Sequence, residues 1–236
     1  MGVLETAPIS RRIVGLLRNS VNKRRKAWKQ TERVFDKIYR RNDWRSNQSA
    51  SGTGSEDSQT EQLVRCLPRI LHDLGVTRIL DIPCGDFNWM RHVDLGGIDY
   101  TGADILAPLI AENRKRYGGE GRSFRQLNLV MDVLPKADFI LCRDCLVHLS
   151  LADIAAALRN IAVSEATYLA TTTFPGRKAN IDIKTGGWRP LNLLAAPFHF
   201  PQPLKIIEEG CTEAGGAYAD KSLAIWRVGE LPAIVE

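Results

Sequence analysis

A mostly parallel β-sheet with helices on both faces, preceded by a helical extension, is the α/β architecture this chain points to. Three features argue for it. From residue 76 onward, short apolar segments alternate with stretches of helical spacing. The first of those segments runs into a loop built of Pro83, Cys84 and Gly85. A basic, helix-spaced N-terminal region is set apart from the alternating part by a Ser/Gly-rich run. Alternation implies parallel strands, because such strands need long crossovers, normally right-handed helices. With 236 residues, 44% apolar and 25% charged, the chain is long enough for one good core with an appendage.

Along the chain, residues 1–45 hold 13 Lys and Arg against 4 Asp and Glu, a balance of +9, while the remainder carries −4. The cluster Lys23, Arg24, Arg25, Lys26, with Trp28 and Lys29, reads either as a solvated helical face or as a surface for phosphates, anionic lipid headgroups or an acidic partner. Trp28, Phe35, Tyr39 and Trp44 fit stacking on RNA as well as docking of a helix on the core; nucleic-acid binding is the less favoured use. The opening MGVLET matches a myristoylation pattern at Gly2 and Thr6, too short to build on. No apolar run approaches the ~20 residues that span a bilayer, and the segment 13–17 lacks a signal-peptide core and cleavage site. Five cysteines, an odd number scattered through strands and helices, fit a reducing compartment, so the expected location is cytoplasmic.

The run SNQSASGTGSEDSQTEQ, residues 46–62, buries too little apolar surface to form a core. It reads as a flexible connection, or as a segment that caps a helix over 60–74 and offers backbone N–H groups to an anion. The expected organisation is a basic helical extension over 1–45, a Ser/Gly-rich loop over 46–59 and a main domain over 60–236. Strands are expected at 78–82, 100–104, 124–129, 138–142 and 167–172, with helices at 108–117 and 151–163 and further apolar segments at 203–207 and 223–226. In such sheets ligands bind beyond the C-terminal strand ends. The ends to inspect are therefore 81–87, Asp104, Asn128 and 143–148.

The first of these ends, LDIPCGDF over 80–87, has one glycine where dinucleotide loops have three. The G-x-G-x-x-G fingerprint is absent, as is a phosphate-binding G-x-x-x-x-G-K-[ST] loop. A cofactor without a pyrophosphate places fewer demands on such a loop. With YTGADI ending in an acid at Asp104, RQLNLVMDVLP carrying Asn128, and ADFILCRDCLVHLS over 137–150, the set resembles the class I S-adenosylmethionine-dependent methyltransferases over roughly residues 60–230. The resemblance implies a Rossmann-like methyltransferase sandwich and S-adenosylmethionine as cofactor. It implies a cofactor site at Asp81, Pro83, Cys84, Gly85 and Phe87, with Asp104 and Ile105, Asn128 and Leu129, and Arg143. Asp104 would accept from the ribose hydroxyls, with a helix cap as its other reading. Asn128 would face the adenine edge, or serve as a turn residue. Asp81 would orient the methionine amino group or brace the loop.

Transfer of a methyl group from a sulfonium needs alignment more than acid–base machinery. A base still helps with a hydroxyl acceptor. Asp144 and His148, four residues apart, fall on one face if their segment is helical, with His148 as base and Asp144 orienting it. The alternative is packing and capping. Cys142 and Cys145 form a lone CxxC with no second pair, so packing is their expected role and no metal is expected. In the long connection after the fifth strand, Phe174, Trp188 and Phe198 offer apolar surface, while Asn180, Asp182, Arg189 and Asn192 have the chemistry to orient a polar acceptor; Trp188, Asn180, Asp182 and Arg189 are the expected substrate contacts. This connection, together with Y-x-x-N-x-W at Tyr39, Asn42 and Trp44 and S-x-S-G-x-G-S at 49–55, resembles a bacterial subgroup of glycan-modifying and small-substrate methyltransferases. The expected acceptor is a small polar molecule or glycan, methylated on a hydroxyl. Two alternatives remain: an RNA or protein methyltransferase using the basic helices, and a noncatalytic interaction module. No NPPY-like element follows the fourth strand, which counts against methylation of base amino groups. Contact of the basic N-terminus with a membrane surface is a further use this charge admits.

Overall fold

The computed structural model describes residues 11–233, with side chains from residue 22; Gly2 and Thr6 lie outside the described residues. Strands β1 (Arg78–Asp81), β2 (Asp99–Asp104), β3 (Arg122–Gln126), β4 (Phe139–Cys142), β5 (Tyr168–Thr173), β6 (Lys205–Glu208) and β7 (Ser222–Arg227) form one sheet in the order β3-β2-β1-β4-β5-β7-β6. The first five strands pair in parallel, and β7 pairs antiparallel to both β5 and β6. The order reverses between β1 and β4. That opens a crevice beyond their C-terminal ends, where Asp81 sits level with Gly102 and Leu141.

Successive residues of the central strands point to opposite faces, and both faces are covered. Ile79, Phe139 and Leu141 join one buried cluster, while Leu80, Ile140 and Cys142 join another. Helix α1 (Arg11–Arg41) precedes the sheet, followed by α2 (Asp57–Asp73), α3 (Ala107–Tyr117) and α4 (Leu151–Ala162). Helix α2 buries Leu63, Leu67 and Leu71, spaced one turn apart, on the first cluster. Helix α4 buries Ile154, Ala157, Leu158 and Ile161 on the second, and the Ser150 hydroxyl caps it by accepting from the Asp153 N–H at 3.1 Å.

Two boundaries differ by three residues from the sequence expectation. Strand β3 ends at Gln126 instead of continuing to 129, because Asn128 Oδ1 accepts the Val130 N–H and Asp132 Oδ2 accepts the Asn128 N–H, both side chains turning the chain locally. Helix α2 begins at Asp57, three residues before Thr60, whose hydroxyl bonds back to the Glu56 carbonyl from within the helix rather than capping it. The long connection after β5 contains no regular element. It is nonetheless held in place, with Phe174, Leu191, Leu193, Phe198 and Phe200 buried in the second cluster.

Helix α1 docks against the end of β3 and the loop that follows it. Trp28 Nε1 donates to Asp132 at 2.8 Å, Glu32 accepts from Gln126 at 3.0 Å, the Arg24 guanidinium reaches the Met131 carbonyl, and Phe35 packs against the second cluster. Among the described residues no helix is long and apolar enough to cross a membrane.

Candidate active site

A cavity of about 420 Å³ opens at the crevice between β1 and β4, within the size range of small-molecule sites. One wall comes from the strand ends: Asp81 to Asp86, Asp104 and Ile105, Leu127 to Val130, and Arg143 to Cys145. Thr31, Phe35 and Tyr39 of α1 and the following Trp44 form a second wall. Residues 50–55 form a roof, and His148, Phe174, Trp188, Glu213, Tyr218 and Lys221 close the far end.

The roof explains the single glycine in the loop after β1. Gly85 has φ +54°, and a Cβ there would collide with Ser51 Oγ of the Ser/Gly-rich run. Asp86 secures this crossing. Its carboxylate accepts the Ser49 hydroxyl at 2.9 Å, the Ala50 N–H at 2.8 Å and the Ser51 hydroxyl at 3.2 Å, while its own N–H donates to Ser51 Oγ at 3.2 Å. Asn88 Nδ2 donates to the Ser55 carbonyl at 2.9 Å, and Arg143 donates to the Gly54 carbonyl at 2.7 Å. The segment is thus tied to the loops after both β1 and β4, and it spans the crevice instead of trailing as a flexible connection.

At the cofactor end, Asp104 Oδ1 accepts the Leu106 N–H at 3.0 Å and Oδ2 accepts the Gly85 N–H at 3.3 Å. It therefore braces the start of α3 while still lining the cavity. Burial raises its pKa to about 6, against the opposing pull of those N–H groups. Asp81 accepts the Tyr100 hydroxyl at 2.6 Å, and burial raises its pKa to about 7. Asn128 is 2% exposed and its Nδ2 has no hydrogen-bond partner among the described residues, a buried donor on a cavity wall. Pro83, Cys84, Ile105 and Leu129 line the same space. Phe87 does not. Its ring stacks against Tyr100, Tyr117 and Phe124 in the core, so the expectation of a cofactor contact is corrected: φ +59° at this residue turns an apolar side chain inward.

Beyond β4 the expected helical face is absent. Asp144 has φ +50°, and only Leu146–His148 forms a 3₁₀ turn, so Asp144 and His148 do not hydrogen-bond. Asp144 instead meets Lys221 Nζ at 2.6 Å and Arg143 Nη1 at 3.3 Å. Arg143 in turn pairs with the buried Glu209 at 2.6 Å, and Lys221 approaches Glu209 at 3.6 Å. Burial pushes the Asp144 carboxyl up, but the Lys221 ammonium and Arg143 guanidinium outweigh it and hold the pKa at about 2. This network was not legible in the sequence, since Lys221 and Glu209 carry no motif.

His148 Nδ1 lies 2.8 Å from the Gly187 carbonyl. A carbonyl only accepts, so Nδ1 holds the proton and Nε2 keeps its lone pair. Burial lowers the pKa of this imidazole, which favours its neutral form. Its ring lies 5.4 Å from that of Trp44.

Of the four expected substrate contacts, Trp188 alone lines the cavity, 42% exposed and 4.7 Å from the Tyr218 ring. The other three brace the long connection. Asn180 donates to the Asn192 and Ala196 carbonyls, and Asp182 accepts the Leu151 N–H at the start of α4. Arg189, 2% exposed, donates to the Leu146, Leu149 and Ile181 carbonyls. A loop without regular structure must satisfy backbone carbonyls and N–H groups from side chains, and these residues are consumed in doing so, Asn180 and Arg189 as donors and Asp182 as acceptor. Asn192 does the same for Pro175 and Arg177, and Phe198 is core. Cys142 is fully buried with Cys145 packed nearby, and among the described residues no group of three metal-binding side chains is assembled.

No protein-family model matches the chain, and no curated protein matches it. Solved structures do. Human N-acetylserotonin methyltransferase in complex with SAM aligns at 14% identity and TM-score 0.51, covering 75% of this chain and 53% of that one. The PH0226 protein of Pyrococcus horikoshii aligns at 14% identity and TM-score 0.52, covering 72% of this chain and 89% of that one. Magnesium protoporphyrin IX methyltransferase of Synechocystis, solved with bound SAH, aligns at 19% identity and TM-score 0.43 over 50% of this chain and 57% of that one. The chain thus spans little more than half the length of the human and Synechocystis enzymes. At these identities the likeness is one of architecture: the chain has the class I methyltransferase fold.

Proposed function

We propose that the protein is an S-adenosylmethionine-dependent methyltransferase acting on a small polar or glycan acceptor, at a hydroxyl. The observation that carries this reading is the convergence on one cavity of Asp104 and the unpartnered Asn128 Nδ2, from the ends of adjacent strands. These groups suit a nucleoside. Asp104 retains lone pairs for ribose hydroxyls beyond its two backbone bonds, and Asn128 supplies a donor for a ring nitrogen of adenine. Asp81 offers a carboxylate to the amino-acid end. The fold shared with enzymes that bind this cofactor supports the same assignment. When bound, the cofactor supplies an activated methyl group and its leaving group.

The chain's own residues then hold the acceptor and exclude water. Trp44, Phe174, Trp188 and Tyr218 provide apolar walls. His148 keeps Nε2 as the proton acceptor, with the Gly187 carbonyl in the orienting role first expected of Asp144. Asp144, locked to Lys221, shapes the charge of that end. Five unpaired cysteines support a cytoplasmic setting. Titration calorimetry with S-adenosylmethionine and S-adenosylhomocysteine tests the assignment, with heat of binding expected for both. Folded protein that binds neither, while binding NAD, rejects it.

A further inference from the structure

Helix α1 is two-sided. At about 100° per residue, Trp28, Thr31, Phe35 and Tyr39 share the face that docks on the domain and lines the cavity. Lys26, Lys29, Arg33, Lys37 and Arg40 recur at intervals of three or four residues and are all exposed. They fall in a sector about 80° wide on the side opposite Phe35, a straight stripe about 21 Å long. Acidic residues do not interrupt it. Glu32 lies nearer the docked side and Asp36 along the edge of the stripe, and they pair with Lys29 at 2.9 Å and Arg40 at 2.8 Å. Lys26, Arg33 and Lys37 have no ion-pair partner among the described residues. The charge is also segregated along the chain, +9 over residues 1–45 against −4 elsewhere, so the stripe is a local field and not part of a uniformly basic surface.

A straight, convex row of cations without a groove fits a flat anionic surface. Single-stranded nucleic acid would call for aromatic platforms beside the cations. On α1 the aromatics Trp28, Phe35 and Tyr39 are on the other face, committed to the domain and the cavity wall. We infer that the outer face of α1 is a docking surface for anionic phospholipid headgroups, which holds the protein on a membrane surface without inserting a span. The stripe faces away from the cavity wall that α1 supplies, so docking leaves the site unobstructed.

The test is co-sedimentation of the full-length protein with vesicles of phosphatidylglycerol and phosphatidylcholine, compared with pure phosphatidylcholine, at low and high salt. Binding is expected to the anionic vesicles alone and to weaken with salt. Each basic residue near such a surface contributes about fivefold, so the triple variant Lys26→Gln, Arg33→Gln, Lys37→Gln should bind about a hundredfold more weakly. Its unfolding midpoint should not move, because these side chains are exposed and make no hydrogen bond or ion pair among the described residues. Should that midpoint fall, the single variant Arg33→Gln, expected to bind about fivefold more weakly, takes its place. Equal binding to both vesicle types, no binding to anionic vesicles at low salt, or retention on RNA with no vesicle binding each overturns the inference.

Discussion

Replacing Asp104 by Asn should make the unliganded protein more stable and its cofactor binding weaker, two effects of opposite sign from one buried carboxylate. Burial raises the Asp104 pKa from 3.8 to about 6. Between these values the folded chain binds more protons than the unfolded one, so stability falls as pH rises through this window and levels off above it. A shift of about two units corresponds to about 3 kcal/mol lost at pH 7.5 or so. Asn carries no charge and keeps one oxygen for the Gly85 or Leu106 N–H, forfeiting about 1 kcal/mol for the other. A net gain of about 1 to 2 kcal/mol should remain near pH 7.5, vanishing or reversing only near pH 4, close to the unfolded pKa, where folding the carboxyl no longer requires it to take up a proton. Urea denaturation of both proteins at the two pH values measures this directly. Affinity for S-adenosylhomocysteine should drop by about 1.5 to 3 kcal/mol, the range for hydrogen bonds to charged groups. A variant less stable by the same amount at both pH values would show that Asp104 serves mainly as a brace, and unchanged affinity would remove it from the ribose.

Gly85→Ala should destabilise the protein by about 1 to 2 kcal/mol or more and free residues 46–56 for limited proteolysis, because the new methyl meets Ser51 at a left-handed backbone position; an uncleaved, equally stable variant refutes the crossing. His148→Gln should lower the methylation rate by about 10²-fold with cofactor affinity preserved, and full activity across pH would leave positioning alone as the mechanism. Trp188→Ala should raise KM for the acceptor more than it lowers kcat, since the indole lines only the acceptor end; an unaltered KM argues against it. Deleting residues 1–22 should leave cofactor affinity within a few-fold, whereas deletion to residue 40 should abolish it through loss of Thr31, Phe35 and Tyr39 from the cavity wall; equal affinities for the two truncations would exclude α1 from the site.

The strand ends were readable in advance because they depend on local pattern. Alternating apolar runs specify which residues enter each core, and where a run stops a polar residue must lie at the sheet's edge, which pointed to Asp81 and Asp104, whereas Asn128 was expected inside a strand and lies two residues past the end of β3. The Tyr39, Trp44 and Ser/Gly motifs marked a second region without saying where it would go. What side chains do in loops depends on partners far away in the chain. Ser51 meets Asp86 across 35 residues, Gly54 meets Arg143 across 89, and Lys221 meets Asp144 across 77. Arg189 and Asn180 have the chemistry of substrate ligands, yet the backbone carbonyls around them claim their donors. Phe87 stands in the cofactor motif, yet the space between Tyr100 and Phe124 takes its ring. Periodicity by itself determined which strands form and where their ends converge. Only the tertiary structure decided which polar groups remain free to act, because that depends on which of them the folded chain has already satisfied.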